Sequence, residues 1–318
     1  MKDSMREVAF LSGLPRSGST VLANILGMHP DIMATASSPL YNIVQTMKRT
    51  WSNDQFFKAQ LDHSFDLMNE KARRATLAFI RSWSAADEEI GLTIDKSRGW
   101  LHCIEWLRYI MPDFKMIVTI RDLRDIYTSI EKRHRKTLMI DFADGMESNL
   151  VDVRANALFN DGGLVGSPLK AIYNIGDIPD ITKHLMIWRY EDFLENPQEV
   201  IRKTFNFLGV NQIDIDFDNI EQNTYESDSH YNMKFTHNIS RRVASPVGYA
   251  EAKISPRILS TIVSRFEWYY SAYYPNVDNV TRDVGTIGTI GTTGTAAFSE
   301  DDILIRQLDE DIKREARV

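Results

Sequence analysis

The stretch that most limits what this chain can become is Gly13-Leu14-Pro15-Arg16-Ser17-Gly18-Ser19-Thr20. An apolar run, Val8-Ala9-Phe10-Leu11, precedes it and reads as a buried strand, and Val21 to Leu26 follows as an apolar segment of helical character. A small-residue turn between a strand and a helix lets successive N–H groups converge on an anion, with the helix N-terminus adding its dipole. Gly13 and Gly18 carry the spacing of a nucleotide triphosphatase loop, but the residue after Gly18 is Ser19, not Lys. Without that Lys, the bridge to the terminal phosphates of a nucleoside triphosphate is missing. The positive charge stands inside the loop instead, at Arg16.

Farther along, short apolar runs alternate with helical patterns. Ile90 to Ile94, Lys115 to Ile120 and Leu185 to Trp188 read as strands. Helices are expected from Leu40, across about 54–82, over 101–111 and 123–135, from Pro197 to Leu208, and as one last core helix over 256–270. This alternation predicts an α/β fold with a parallel sheet covered on both faces. Residues 143–180 show little periodicity and read as a long surface excursion. The Gly/Thr repeat predicts a linker over 281–298, followed by an amphipathic C-terminal helix over 299–318 suited to docking or self-association; residues 1–280 form the main domain.

Composition narrows the function classes. The net charge of −7 argues against a general nucleic-acid binder, so any anion site needs local clustering of Lys and Arg. One cysteine, Cys103, leaves no intramolecular disulfide or Cys-rich metal site. No apolar stretch is long enough to span a membrane, and a soluble, cytoplasmic protein is the expectation.

Three further groups carry possible chemistry. Arg121 follows the strand 115–120, at the end where open α/β sheets place their ligands, and Ser129 lies two helical turns on. Asp95-Lys96-Ser97 closes another strand, and a fixed cation there can meet charge that builds up in a reaction. His102 and Asp95, close to that strand end, are titratable groups able to take a proton.

The string Pro15-Arg16-Ser17-Gly18-Ser19-Thr20 in its strand–helix setting resembles the 5′-phosphosulfate loop of sulfotransferases that use 3′-phosphoadenosine-5′-phosphosulfate, most closely the tyrosylprotein and bacterial-type branches. The resemblance implies a P-loop NTPase-like three-layer sandwich and sulfuryl transfer to a hydroxyl or amine, without a metal. It implies that Pro15 to Thr20 bind the 5′ end of the donor and that Arg121, Ser129 and Arg135 bind its 3′-phosphate. Lys96 matches a catalytic lysine of the family, Tyr190 a recurring position after a core strand, and Ser240, Arg241, Arg242 and Lys253 a late loop over the nucleotide. Arg135 contributes only if its helix ends or bends before it, because six residues past Ser129 is about 120° around the axis. The catalytic Glu that serves as base in the tyrosylprotein branch has no counterpart, since Ala36-Ser37-Ser38 stands where it belongs. The acceptor stays open among small molecules, glycans, lipids and peptides. Two other readings stand beside this one: a P-loop kinase acting on a small molecule, and a non-catalytic nucleotide-binding module.

Overall fold

The computed structural model describes residues 7–84, 91–139, 150–224, 239–242 and 254–275, all within one compact unit, Met1–Pro275. Lys253, the Gly/Thr linker and the C-terminal helix lie outside the described residues.

Strand β1 (Glu7–Gly13) leads into α1 (Ser19–Leu26), then β2 (Ile32–Ala34) and three helices, α2 (Leu40–Asn53), α3 (Gln55–His63) and α4 (Phe65–Ser84). Strand β3 (Leu92–Lys96) runs into a 3-10 turn, Arg98–Cys103, and α5 (Ile104–Ile110). Then come β4 (Lys115–Ile120), α6 (Leu123–Lys136), α7 (Val151–Phe159), α8 (Gly166–Ile175) and β5 (Leu185–Arg189). Helices α9 (Tyr190–Glu195), α10 (Pro197–Leu208), α11 (Pro256–Arg265) and α12 (Glu267–Tyr273) complete the described chain.

The five strands form one sheet in the order β2-β3-β1-β4-β5, and every pairing is parallel. Alternation along β1 sends its side chains to two faces. Ala9 and Leu11 join a core with Leu22 and Ile25 of α1 and Ile201 and Phe205 of α10. Phe10 points the other way and packs on Trp100, ring centroids 4.6 Å apart. Strands buried on both sides read as nearly unbroken apolar runs, and β4 is one. Helix α10 has the end signals its sequence announces: the Asn196 side chain accepts from the Glu199 N–H, Pro197 opens the first turn, and Gly209 closes it in the left-handed region. The α/β three-layer sandwich is therefore as expected.

Several local expectations change. Strand β2 is too short to show a pattern and was not foreseen; it forms because Ile32 to Ala34 pair with β3. The helical stretch 54–82 breaks at Ser64 into two helices. Residues 143–180 are not one irregular excursion, since 151–159 and 166–175 are helical. The last helix divides at Phe266. Among the described residues no helix is long and apolar enough to cross a membrane.

Candidate active site

Because all five strands run the same way, their carboxyl ends share one edge of the sheet. Strand β1 has β3 on one side and β4 on the other, so the chain leaves β1 at a topological switch point, where such sheets open a crevice. Gly13 ends β1 with φ 139°, and a Cβ there would lie 2.2 Å from the Thr119 carbonyl oxygen. Only glycine permits that approach to the neighbouring strand. The turn is then pinned to β4: the Leu14 N–H donates to Thr119 O at 2.9 Å. The Ser17 hydroxyl donates to Leu14 O at 2.6 Å and lies 2.7 Å from Thr119 Oγ1. Ser17 is fully buried, so its hydroxyl holds the turn, and any contribution to a ligand must come from its backbone.

Two residues turn the chain in the left-handed region. Gly18, with φ 88°, stands before α1, and Arg16 has φ 59°. For a non-glycine residue that conformation costs about 1 kcal/mol, which the surrounding contacts must hold in place. Those contacts are specific. Arg121 Nη1 donates to the Arg16 carbonyl at 3.1 Å, and Arg16 Nε donates to Ser129 Oγ at 3.1 Å. The first-turn amides of α1 have no partner within the helix.

Arg121 is 8 % exposed. Its guanidinium lies over the Tyr190 ring, 4.8 Å from the centroid, and its carboxylate partner Asp125 stands 3.8 Å away. Its buried Nε has no hydrogen-bond acceptor. A buried arginine with a distant counter-charge and an unsatisfied donor suits an anion with several oxygens. Burial pushes the Asp125 carboxyl up, with Arg121 opposing the shift. Tyr190 also roofs the turn, because a Cβ on Gly18 would lie 2.5 Å from its ring.

Lys96 reaches the same place from β3. Its Nζ donates to Thr20 Oγ1 at 3.0 Å and to Ala36 O at 2.6 Å, joining the start of α1 to the chain that leaves β2. Asp95 points away from the turn: it is buried, accepts from Trp100 Nε1 at 2.7 Å, and is also bonded by Ser38. It is a strut under the site, and burial raises its pKa.

The expected residues thus divide. Arg16, Gly18, Ser19, Thr20, Lys96, Arg121, Ser129 and Tyr190 are brought together around the turn. His102 is apart from them, in a cleft of about 600 Å³ between α2, α5 and α8, with Tyr41, Gln45 and Lys170. There its Nε2 lies 3.4 Å from Ser167 Oγ, and desolvation lowers its pKa. Arg135 does not join the turn: α6 runs unbroken to Lys136, and Arg135 Nε donates to Glu131 at 3.2 Å. Residues 239–242 lie along the segment that follows α10, where the Ile220 N–H donates to Arg241 O at 2.6 Å and Ile239 packs against the core. Arg242 pairs with Asp218 at 2.8 Å on the surface, and Ser240 Oγ accepts from the Arg242 N–H. Sequence reasoning missed Thr119, the clamp on Ser17; a lone hydroxyl in an otherwise apolar strand was its signal.

A model described as the sulfotransferase family matches residues 9–158, and one described as the sulfotransferase domain matches 102–254. Nodulation protein NoeE of Sinorhizobium fredii is 25% identical over 236 residues, covering 69% of this chain and 54% of that protein. Protein-tyrosine sulfotransferase 1 of Danio rerio is 27% identical over 126 residues, covering 39% of this chain and 35% of that protein. The chain therefore spans about half, or less, of the length of these two relatives. Among solved structures, mouse sulfotransferase SULT7A1 complexed with PAP has 13% identity and a TM-score of 0.44, covering 86% of each chain. The two family matches together run from β1 through the turn, Lys96, Arg121 and Ser129 to beyond α10, and the chain belongs to the sulfotransferase family.

Proposed function

We propose that this chain transfers a sulfuryl group from 3′-phosphoadenosine-5′-phosphosulfate to a hydroxyl or amine acceptor. The observation that carries this reading is the junction of Arg16, Arg121 and Ser129, which offers two cations and a hydroxyl beside a glycine-shaped turn. A donor with phosphate at both ends of its ribose needs two anion sites, and the cations and hydroxyl of the turn and the Arg121 side support that reading.

In this reading the amides at the start of α1 and the Arg16 side chain hold the 5′ phosphosulfate. Arg121 and Ser129 hold the 3′-phosphate, with Tyr190 flanking the guanidinium. The residues fit the donor: Arg121 Nε is buried without an acceptor, and Gly13 and Gly18, where a Cβ would meet Thr119 and the Tyr190 ring, keep the turn close to both. When bound, the donor supplies an electrophilic sulfur whose bond to the phosphate oxygen breaks as the bond to the acceptor forms. Lys96 Nζ, held at the start of α1, offsets charge at the reacting end, and such fixed donors are worth about 3–4 kcal/mol of barrier. His102 has the role of base, and desolvation favours its neutral, proton-accepting form.

The test is calorimetric titration with adenosine 3′,5′-bisphosphate, AMP and ATP. The reading expects the bisphosphate to bind far more tightly than the other two, and Arg121→Ala to remove that preference. Equal binding of ATP, or a preference that survives the substitution, overturns the donor assignment.

A further inference from the structure

We propose that Tyr269, reaching in from α12, is a positioning residue for the 3′-phosphate side of the site and acts through Arg121; this rests on the donor assignment just given. The argument begins with one peptide unit. The carbonyl of Arg121 and the N–H of Asp122 lie between the end of β4 and the first turn of α6, where neither ladder nor helix provides partners. Side chains provide them instead. The Tyr269 hydroxyl donates to Arg121 O at 2.9 Å, and the Asp122 N–H donates to Glu191 Oε1 at 3.0 Å. The peptide plane is therefore held on both sides, from α12 and from α9.

The supports are themselves supported. Glu191 Oε2 accepts from the Tyr274 hydroxyl at 2.9 Å, and the Tyr270 hydroxyl donates to Asp122 Oδ1 at 3.0 Å. Tyr269 is completely buried, with the rings of Tyr270, Tyr273 and Tyr274 at centroid distances of 5.9, 5.2 and 5.7 Å. Its hydroxyl has no route to solvent, so the Arg121 carbonyl is the partner its burial requires.

Fixing that peptide plane fixes ψ of Arg121, and with it the direction in which the side chain leaves the backbone. The guanidinium then stacks on Tyr190, the residue beside Glu191, and reaches the Arg16 carbonyl at 3.1 Å. A rotated plane would swing the arginine away from the 3′-phosphate side. Tyrosines that only filled the core would leave ligand discrimination unchanged when their hydroxyls were removed.

The experiment compares adenosine 3′,5′-bisphosphate with AMP by calorimetry in wild type, Tyr269→Phe, Arg121→Ala and the double variant. Tyr269→Phe is expected to weaken bisphosphate binding about ten-fold, the size of one lost buried hydrogen bond. AMP binding stays unchanged. On the Arg121→Ala background Tyr269→Phe adds no further loss, because the two act in series. Tyr273→Phe, which alters a ring packed on Tyr269, keeps the wild-type preference. If Tyr269→Phe fails to fold by circular dichroism, Tyr270→Phe replaces it and must show the same selective loss through Asp122. Equal weakening of both ligands, an unchanged preference, or additive losses in the double variant overturn the proposal. A wild type that does not prefer the bisphosphate over AMP fails the donor assignment first, and this inference with it.

Discussion

Arg16 Nε donates to Ser129 Oγ at 3.1 Å, so the turn after β1 and the second turn of α6 meet at a single hydrogen bond. That contact spans two parts of the proposed donor site that lie far apart in sequence. Ser129→Ala removes the hydroxyl that meets the loop arginine and is proposed to bind the 3′-phosphate. The expected result is bisphosphate affinity lowered about ten-fold, near 1.4 kcal/mol, with AMP affinity changed little. Calorimetry reads both, and a parallel loss for the two ligands would place Ser129 in the framework of the turn alone.

Gly18→Ala tests the cradle. The added Cβ meets the Tyr190 ring at 2.5 Å, in a backbone conformation, φ 88°, that alanine disfavours. Strain and displacement of the ring together are expected to cost about 2 kcal/mol of stability and to weaken nucleotide binding. Denaturant unfolding measures the first and titration the second. Wild-type values for both would mean that Tyr190 and the turn part without cost.

Lys96→Met keeps most of the side-chain stem and removes the charge at Thr20 and Ala36. The expected signature is a fall in kcat of about a hundred-fold or more, with bisphosphate affinity preserved. Steady-state kinetics with a labelled donor, once an acceptor is found, gives the first value, and calorimetry the second. A variant that loses donor binding but turns over normally at saturation would assign Lys96 to binding instead.

His102→Gln tests the base. Because desolvation lowers the His102 pKa, the neutral ring prevails down to a pH below the ordinary histidine value. In wild type the rate should therefore rise with pH through an acid limb below the usual 6.5 and then level off. The variant should lose that limb together with most of kcat. A limb that persists in His102→Gln belongs to another group.

Asp95 offers a pH test independent of any ligand. Burial raises its folded-state pKa above the ordinary value of 3.8, so the native state holds a proton that the unfolded chain has already released. Stability contributed at this site is greatest below the ordinary value and falls as pH rises from there through the raised folded value. Asp95→Asn keeps an oxygen that can accept from Trp100 Nε1 and removes the buried charge. Its melting temperature should decline less than that of wild type across that window. Parallel curves for the two proteins would show that Asp95 does not govern the slope.

What the sequence determined by itself was local. The order of elements, the turn between β1 and α1 with both glycines, and the caps of α10 were legible because periodicity, left-handed φ and missing N–H groups act within a few residues. Arg16, Lys96, Arg121 and Ser129 could be singled out because each stands where a strand ends or on the helix that follows one. Only the tertiary structure decided their company. That Ser17 is spent on Thr119, that Arg135 turns to Glu131, and that His102 faces Ser167 across a separate cleft follow from packing between segments far apart in the chain. The tyrosines of α12 show the same division. Their sequence announces only aromatic core, and it is the docking of that helix against the end of β4 that aims the Tyr269 hydroxyl at the Arg121 carbonyl. Hydrogen bonds of that kind depend on the direction of a side chain in three dimensions, and no spacing along one chain encodes it.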